Sequence, residues 1–393
     1  MKIVHVVSYF QPEFGYEEYF SAREQAAKGH EVHVITSDRI FPFRNVEKML
    51  SDMGSRYRTR MRPEGKEEME GFTVHRKGTV IETLYDFIIY RDIKEELSNL
   101  KPDIVHCHIP YQWGSYQAAK VKEKVGFGLV VDEHGYDTTY DQKKTLRNWL
   151  LDKEYRVVRA PLARYSLKRA DAVVAKYRQT RDFLMDFYHV KDPVFIPLGI
   201  DHRKFIEDPS VRKEYRKKRN WEGRKVLVTA GRLDKAKKLE LFIESLKYMD
   251  DERVLMVIIG QGDDDYLKKL KEMSDERVEF LGFMNSNELA EVYNGADIGF
   301  WGKASITIRE AMACKLPVVL FDIPNLKDLI QWDNGLYADQ DPKKIAEAFE
   351  ALVKDDEKRR KMGERGREGV KEDFSVEVEA GRLLEVYERI LRT

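Results

Sequence analysis

The chain reads as an α/β protein of two doubly wound, Rossmann-like domains, each a parallel sheet with helices on both faces, and three observations predict it. Apolar runs of strand length alternate with helical segments almost throughout. The alternation breaks once, in a long charged stretch, and then restarts. Glycine-containing and polar loops follow several runs at their carboxyl ends, where doubly wound sheets bind ligands.

Taken in order, residues 3–8 form the first run, 16–28 have helical composition, and 32–36 form the second run. Ile104–His108, a helix near 112–124 and the run 129–132 continue the pattern. Continuous Val, Ile and Leu runs of this kind suit strands covered on both faces. Residues 140–170 are charged and helical, and after the strand Ala172–Ala175 comes VFIPLGIDHRKF, a proline and glycine segment suited to a crossover. The expected boundary lies near Leu198, giving domains 1–197 and 198–374. The second half restarts with 226–230, Val254–Ile259, 278–281, Ile298–Trp301 and Val318–Phe321. The final stretch, 375–393, carries apolar residues at helical spacing and is expected to cross back to the first domain.

With 393 residues, 42% hydrophobic and 35% charged, the chain can build two cores and is too apolar to be disordered. Formal net charge is zero, which gives no global reason to expect nucleic acid. No apolar run approaches transmembrane length, and MKIVHVVSYF enters a strand pattern at once, so a cytoplasmic protein is expected. Charge carried by Lys, Arg and Glu, with sparse Asn and Gln, is the composition of a protein from a hot environment. Cys107 and Cys314 have neither a disulfide framework nor metal-ligand spacing and are expected to be buried small hydrophobes.

The most informative stretch is 297–320, DIGFWGKASITIREAMACKLPVVL, which reads as strand, polar loop, helix start and strand. A helix N-terminus there attracts anions, and Glu310 stands within reach of a ligand. Thr307 and Glu310 also have capping-box spacing, so the glutamate has an alternative task of tying off its own helix. Arg232 and Lys237, five apart after a strand, can converge on one anion such as a diphosphate, the alternative being two solvated charges at the start of an exposed helix. The GQG at 260–262 is a weak phosphate-loop signal, and letting backbone pass close is its simpler reading. His134 can hydrogen-bond a hydroxyl or move a proton, with a packed polar residue as the alternative. His106 and His108 lie two apart on a strand but lack a third ligand for metal. Asp263, Asp264 and Asp265 open a helix and read as dipole partners. If the two carboxyl edges face each other, these candidates line one interdomain cleft.

PEFGYEEYFSAREQAAKGHEVHVIT, KPDIVHCHIP, VFIPLGIDHRKF, TAGRLDKAKKLELFIESL, VIIGQGDDDYLKKL, VEFLGFMNSNELAEVYNGADIGF and REAMACKLPVVL, in this order, resemble the retaining nucleotide-sugar glycosyltransferases of family 4, which have the GT-B fold. The resemblance covers nearly the whole chain. It implies an acceptor-binding first domain, a second domain for a UDP-, GDP- or ADP-sugar, and a last helix returning to the first. It assigns Arg232 and Lys237 to the diphosphate, Glu310 to the ribose, Phe283 and Met284 to the base, and Gly262 to the donor loop. His134 matches a histidine near the donor sugar, and Gly15 with Tyr16 the glycine loop beside phosphate and acceptor; His108 and Asp137 fall on the acceptor side. No metal and no cofactor are implied, and the diphosphate itself takes the acceptor proton in a front-face attack.

The departures are as specific as the matches. The family's first glutamate falls on Gly302, so the donor sugar would be oriented by Lys303, Ser305 or the backbone N–H groups of Ile306 and Thr307. Two further family glycines are replaced by Tyr16 and Lys238. Alternatives are a non-catalytic sugar-nucleotide binder or partner subunit, and an epimerase or phosphorylase on the same architecture. The 39–62 segment interleaves Arg39, Arg44, Lys48, Arg56, Arg58, Arg60 and Arg62 with Phe41, Phe43 and Met61, and suits an anionic membrane, a lipid-linked acceptor or, equally, a mobile solvated loop.

Overall fold

The structure, a computed structural model, describes residues 1–43, 46–83, 86–135, 149 and 152–392. It divides into two compact units: Met1–Gly199 with Val376–Thr393, and Ile200–Ser375.

The first unit is built on ten strands: β1 (Lys2–Val6), β2 (Glu31–Ser37), β3 (Gly65–Met69), β4 (Phe72–Lys77), β5 (Thr79–Glu82), β6 (Ile88–Tyr90), β7 (Ile104–His108), β8 (Gly128–Glu133), β9 (Ala172–Ala175) and β10 (Val194–Phe195). Eight of them form one sheet in the order β10-β9-β8-β7-β1-β2-β4-β3. It is parallel except for β3, which pairs antiparallel to β4. β1 lies between β2 and β7, with Ile3 opposite both Val32 and Ile104. The apolar runs that announced β1, β2, β7, β8 and β9 are buried on both faces. β3 to β6 gave no such signal: β3 is a mostly exposed GKEEM edge, and β4 buries His75 and Arg76 where an apolar residue would mark a strand. Helix Val376–Leu391 packs Leu383 and Tyr387 into the same core as Ile3 and Val34.

The second unit carries β11 (Lys225–Ala230), β12 (Val254–Ile259), β13 (Val278–Gly282), β14 (Ile298–Trp301), β15 (Val318–Phe321) and β16 (Gly335–Ala338). All are parallel, in the order β13-β12-β11-β14-β15-β16. The strand order reverses at β11, which pairs β12 on one side and β14 on the other. The loops leaving β11 and β14 therefore diverge and open a crevice beyond their carboxyl ends, the place where such sheets bind ligands. Cys107 and Cys314 are both buried, in separate cores.

Candidate functional site

Where the loops after β11 and β12 meet, beside the β11/β14 crevice, the backbone packs too closely for side chains. An added Cβ at Gly260 would lie 2.0 Å from the Gly231 carbonyl oxygen, and one at Gly262 would lie 1.9 Å from that of Leu233. Leu233 N–H donates to the Gln261 carbonyl and Asp263 N–H to the Leu233 carbonyl, both at 3.0 Å. The glycines of the GQG turn thus clamp the loop that carries Arg232. Asp263 caps its helix by accepting from Tyr266 N–H at 2.9 Å, the dipole role read from sequence.

Lys237 ends the short 3₁₀ turn Lys235–Lys237, whose cap is Asp234. Only 7% of Lys237 is exposed, and no ion pair or hydrogen bond to its ammonium occurs among the described residues. Its Nζ lies 2.6 Å from where a Cβ on Gly231 would stand, with the Ser305 and Thr307 hydroxyls 3.5 and 3.9 Å from that point. Burial, opposed by Asp234 and reinforced by Arg232 and Lys303, pulls its pKa down to about 8. Arg232 is the converse: its side chain is 80% exposed and 3.5 Å from Asp234. A buried ammonium without a partner, near two more cations, has the chemistry to hold an anion. Lys238, where the family has glycine, holds a left-handed φ of 50°, which explains that glycine.

The β14 loop completes the crevice. An added Cβ at Gly302 would lie 2.1 Å from the Lys237 carbonyl oxygen and 2.7 Å from the Phe321 ring, so no side chain fits at the position of the family's first glutamate. Helix Ile306–Ala313 starts at Ser305 without a side-chain cap. The capping alternative for Glu310 is therefore corrected: Glu310 lies inside the helix, and the Thr307 hydroxyl is spent on the Ala230 carbonyl, Trp301 Nε1 and Ser305. One buried oxygen of Glu310 and the buried Tyr293 hydroxyl have no hydrogen-bond partner. Burial pushes the Glu310 carboxyl up to about 7, opposed by the charge of Lys204. Phe283 and Met284 follow β13 and are half-buried, Met284 against the core.

In the first unit the histidines join a network that the sequence did not reveal. His134 Nε2 lies 2.9 Å from Asp132 and 3.1 Å from Glu17. His108 sits behind it, buried, with Nδ1 3.0 Å from Asp132 and Nε2 2.9 Å from His5. His106 is buried in mid-strand between Asp132 and the Tyr387 hydroxyl, not at the ligand edge where the sequence put it. Lys176, fully buried, bridges Glu17 and Glu379 at 2.6 Å each, and Gly199 N–H donates to Glu379. Burial alone would lower the His134 pKa, but Asp132 and Glu17 carry it up to about 9. Burial likewise opposes the Lys176 charge, and the carboxylates around it win. Two sets, His5 with His106 and His108, and Glu17, Glu18, His108 and His134, are close enough to hold a metal. Hydrogen bonds and ion pairs already engage both ring nitrogens of His5, His106 and His108 and the Nε2 of His134. The signal available in the sequence was a buried lysine ending an apolar strand, AVVAK.

Gly15 adopts a left-handed φ of 63° and turns the chain into helix Glu17–Ala27, whose first residue belongs to that network. Tyr16 is 41% exposed and stacks on Phe43. Asp137 and Arg44 lie outside the described residues. In the 39–62 segment Arg39 pairs with Asp38, Arg56 with Glu67, Arg60 with Glu82 and the buried Arg62 with Glu13. Among the described residues no helix is long and apolar enough to cross a membrane.

A two-domain α/β chain with cations beside a strand-order reversal is an architecture suited to binding an anionic ligand. The first unit matches the family model for Glycosyltransferase Family 4 over residues 21–204, and the second that for Glycosyl transferases group 1 over residues 211–369. The chain belongs to the family 4 glycosyltransferases, and it is a glycosyltransferase enzyme. N-acetyl-alpha-D-glucosaminyl L-malate synthase of Bacillus anthracis is 25% identical over 94% of this chain and 92% of its own length. Spore coat protein SA of Bacillus subtilis is 27% identical over 47% of this chain and only 54% of that protein. HepE of Anabaena, solved with UDP, superposes with a TM-score of 0.71 at 16% identity, covering 99% of this chain and all of that one, and shares the GT-B fold.

Proposed function

We propose that the chain transfers a sugar from a nucleoside-diphosphate sugar to a hydroxyl acceptor, with retention and without a metal ion. The observation that carries this reading is Lys237, a buried ammonium with no partner, seated on Gly231 beside Arg232 and Lys303. An ammonium so placed stabilises a diphosphate, and most of all the charge that grows as the diphosphate leaves. Arg232 adds a planar fork from the rim. Glu310, with an unpartnered oxygen, accepts from the ribose hydroxyls; Phe283 and Met284 border the base. The N–H groups of Ile306 and Thr307 and the Ser305 hydroxyl face the sugar diphosphate.

In the reaction the bond from C1 to the diphosphate oxygen breaks and a bond from C1 to the acceptor oxygen forms on the same face. The acceptor proton passes to the departing diphosphate. His134, held cationic by Asp132 and Glu17, orients sugar hydroxyls on the acceptor side together with the Gly15 loop and Asp137, while His108, buried behind it, acts by positioning it. The acceptor is a glycan, glycolipid or small-molecule hydroxyl. UDP-sugars are the first donors to try, because HepE was solved with UDP-glucose as well as UDP. A thermal-shift screen of UDP-, GDP- and ADP-sugars tests the reading. One nucleotide series is expected to stabilise the protein, with the shift lost in Arg232→Ala and Lys237→Ala; no shift in any series, or shifts that survive both substitutions, would overturn it.

A further inference from the structure

Glu18 is the acid of the first-unit network that pairs with nothing. Among the described residues its carboxylate makes no ion pair and no hydrogen bond. The other acids are committed: Glu17 to Lys176 at 2.6 Å and His134 at 3.1 Å, Asp132 to His106, His108 and His134 at 3.1, 3.0 and 2.9 Å, and Glu379 to Lys176 at 2.6 Å. Glu18 nevertheless stands among them, since one side-chain atom each of Glu17, Glu18, His108 and His134 lies within 4.8 Å of the other three. Glu17 and His108 are buried, whereas Glu18 is half-buried and the His134 side chain is 21% exposed. Every hydrogen bond and ion pair of His134 uses Nε2, so its Nδ1 is as free as the Glu18 carboxylate. Glu18 lies in the first turn of helix Glu17–Ala27, just after Gly15, and His134 follows β8, so both stand at the carboxyl edge where such sheets bind ligands.

A carboxylate accepts hydrogen bonds through two oxygens, and a hydroxyl answers Nδ1 of the imidazole in either protonation state. Neighbouring hydroxyls therefore match the pair. An ammonium placed on Glu18 would meet the charges of His134 and Lys176, and a phosphate would face Glu17 and Glu18. A ligand that covered the pair without offering hydroxyls would leave a carboxylate and a ring nitrogen dry and unanswered, which is costly.

We propose that Glu18 and His134 together read two neighbouring hydroxyls of the acceptor, so that the acceptor is a sugar ring and not an alcohol with a single free hydroxyl. This inference rests on the reading of the chain as a transferase to a hydroxyl acceptor, and it names the acceptor class. Glu18 touches the acceptor, whereas Glu17 and Asp132 hold His134 in place for it.

The test is NMR titration of the full chain with the methyl α-glycosides of glucose, galactose and mannose, with their monodeoxy analogues and with cyclohexanol, each with and without UDP. These three sugars present neighbouring hydroxyls in both trans and cis arrangements. One glycoside is expected to bind at least about tenfold more tightly than cyclohexanol, and loss of one hydroxyl of the recognised pair to cost about tenfold. Glu18→Ala is expected to bring that glycoside and its deoxy analogue within about twofold of each other and to leave UDP affinity unchanged; Glu18→Gln, of the same shape, serves as the second variant with its melting temperature as the check on folding. Binding of no glycoside overturns the inference, as does a Glu18→Ala loss equal for glycoside, deoxy analogue and nucleotide. Stabilisation by Mn²⁺ or Zn²⁺ that Glu18→Gln abolishes also overturns it, because the set is then a metal site. UDP or GDP binding that depends on Arg232 and Lys237 sustains the donor-site reading whichever way the glycosides fall. If no nucleotide binds, that reading fails, while the glycosides still decide what Glu18 reads.

Discussion

The carbonyl oxygen of Lys237 occupies the space that the first side-chain carbon of any residue at Gly302 would need, 2.1 Å away. The missing carboxylate and the position of the buried ammonium are thus one structural fact, since the backbone that presents Lys237 is the backbone that forbids a side chain at 302. Gly302→Ala is expected to cost about 1–3 kcal/mol of stability, the usual range for forcing extra carbon into a packed place. Gly302→Glu should lose nucleotide binding instead of restoring a family contact. Chemical denaturation and nucleotide titration of both variants check this, and a Gly302→Glu protein that binds donor normally would sink it.

Lys237 sets a pH dependence for donor binding. Its pKa is pulled from 10.5 to about 8 by burial, and only the ammonium attracts a diphosphate. Affinity for free nucleoside diphosphate should weaken as pH rises from 7 through 8 to 9. For the empty protein the sign is opposite: the buried ammonium is a penalty below about 8 that is relieved as pH rises toward 10.5, so stability gains there. Lys237→Arg, which stays charged, should flatten the binding profile; a profile unchanged by that substitution would assign the dependence elsewhere.

Glu310 gives a second profile. Burial raises its carboxyl from 4.5 to about 7, so the native state holds the proton more tightly than the unfolded chain. That stabilisation is complete below 4.5 and is lost as pH rises through 7. Glu310→Gln should therefore gain melting temperature relative to the parent protein across this window, with the difference level above it. The same change should weaken nucleotide binding by roughly 10- to 100-fold, the worth of a hydrogen bond to a charged group.

The network of the first unit should behave as a set. Removing Lys176 with Lys176→Met leaves Glu17 and Glu379 buried without their cation, and about 3–5 kcal/mol is expected to be lost. Adding Glu17→Gln should recover part of it, so the double variant is more stable than the sum of the singles predicts. His134 adds a separate signature: with its pKa raised to about 9, its contribution is full below 6.5 and disappears as pH rises through 9. His134→Asn should remove that alkaline loss, measured by denaturation between pH 7 and 10.

The strands buried on both faces were legible in the sequence because such strands must be continuously apolar, and so was helix Ile306–Ala313, whose start and stop are local. The edge hairpin β3–β4 was not, because β3 is charged and mostly exposed while β4 buries His75 and Arg76, whose partners Glu96 and the Phe10 carbonyl come from elsewhere in the fold. The sequence by itself determined the two parallel-sheet halves, the loops that follow their strands, and the residue types in those loops. Only the tertiary structure decided what those residues are. It buried Lys237 and left Arg232 in solvent, closed position 302 with a backbone carbonyl, and gathered His5, His108, Asp132, Lys176 and Glu379 from separate segments into one network. Burial and charge pairing are properties of neighbours brought together by the fold, and no local pattern along the chain encodes which neighbours those will be.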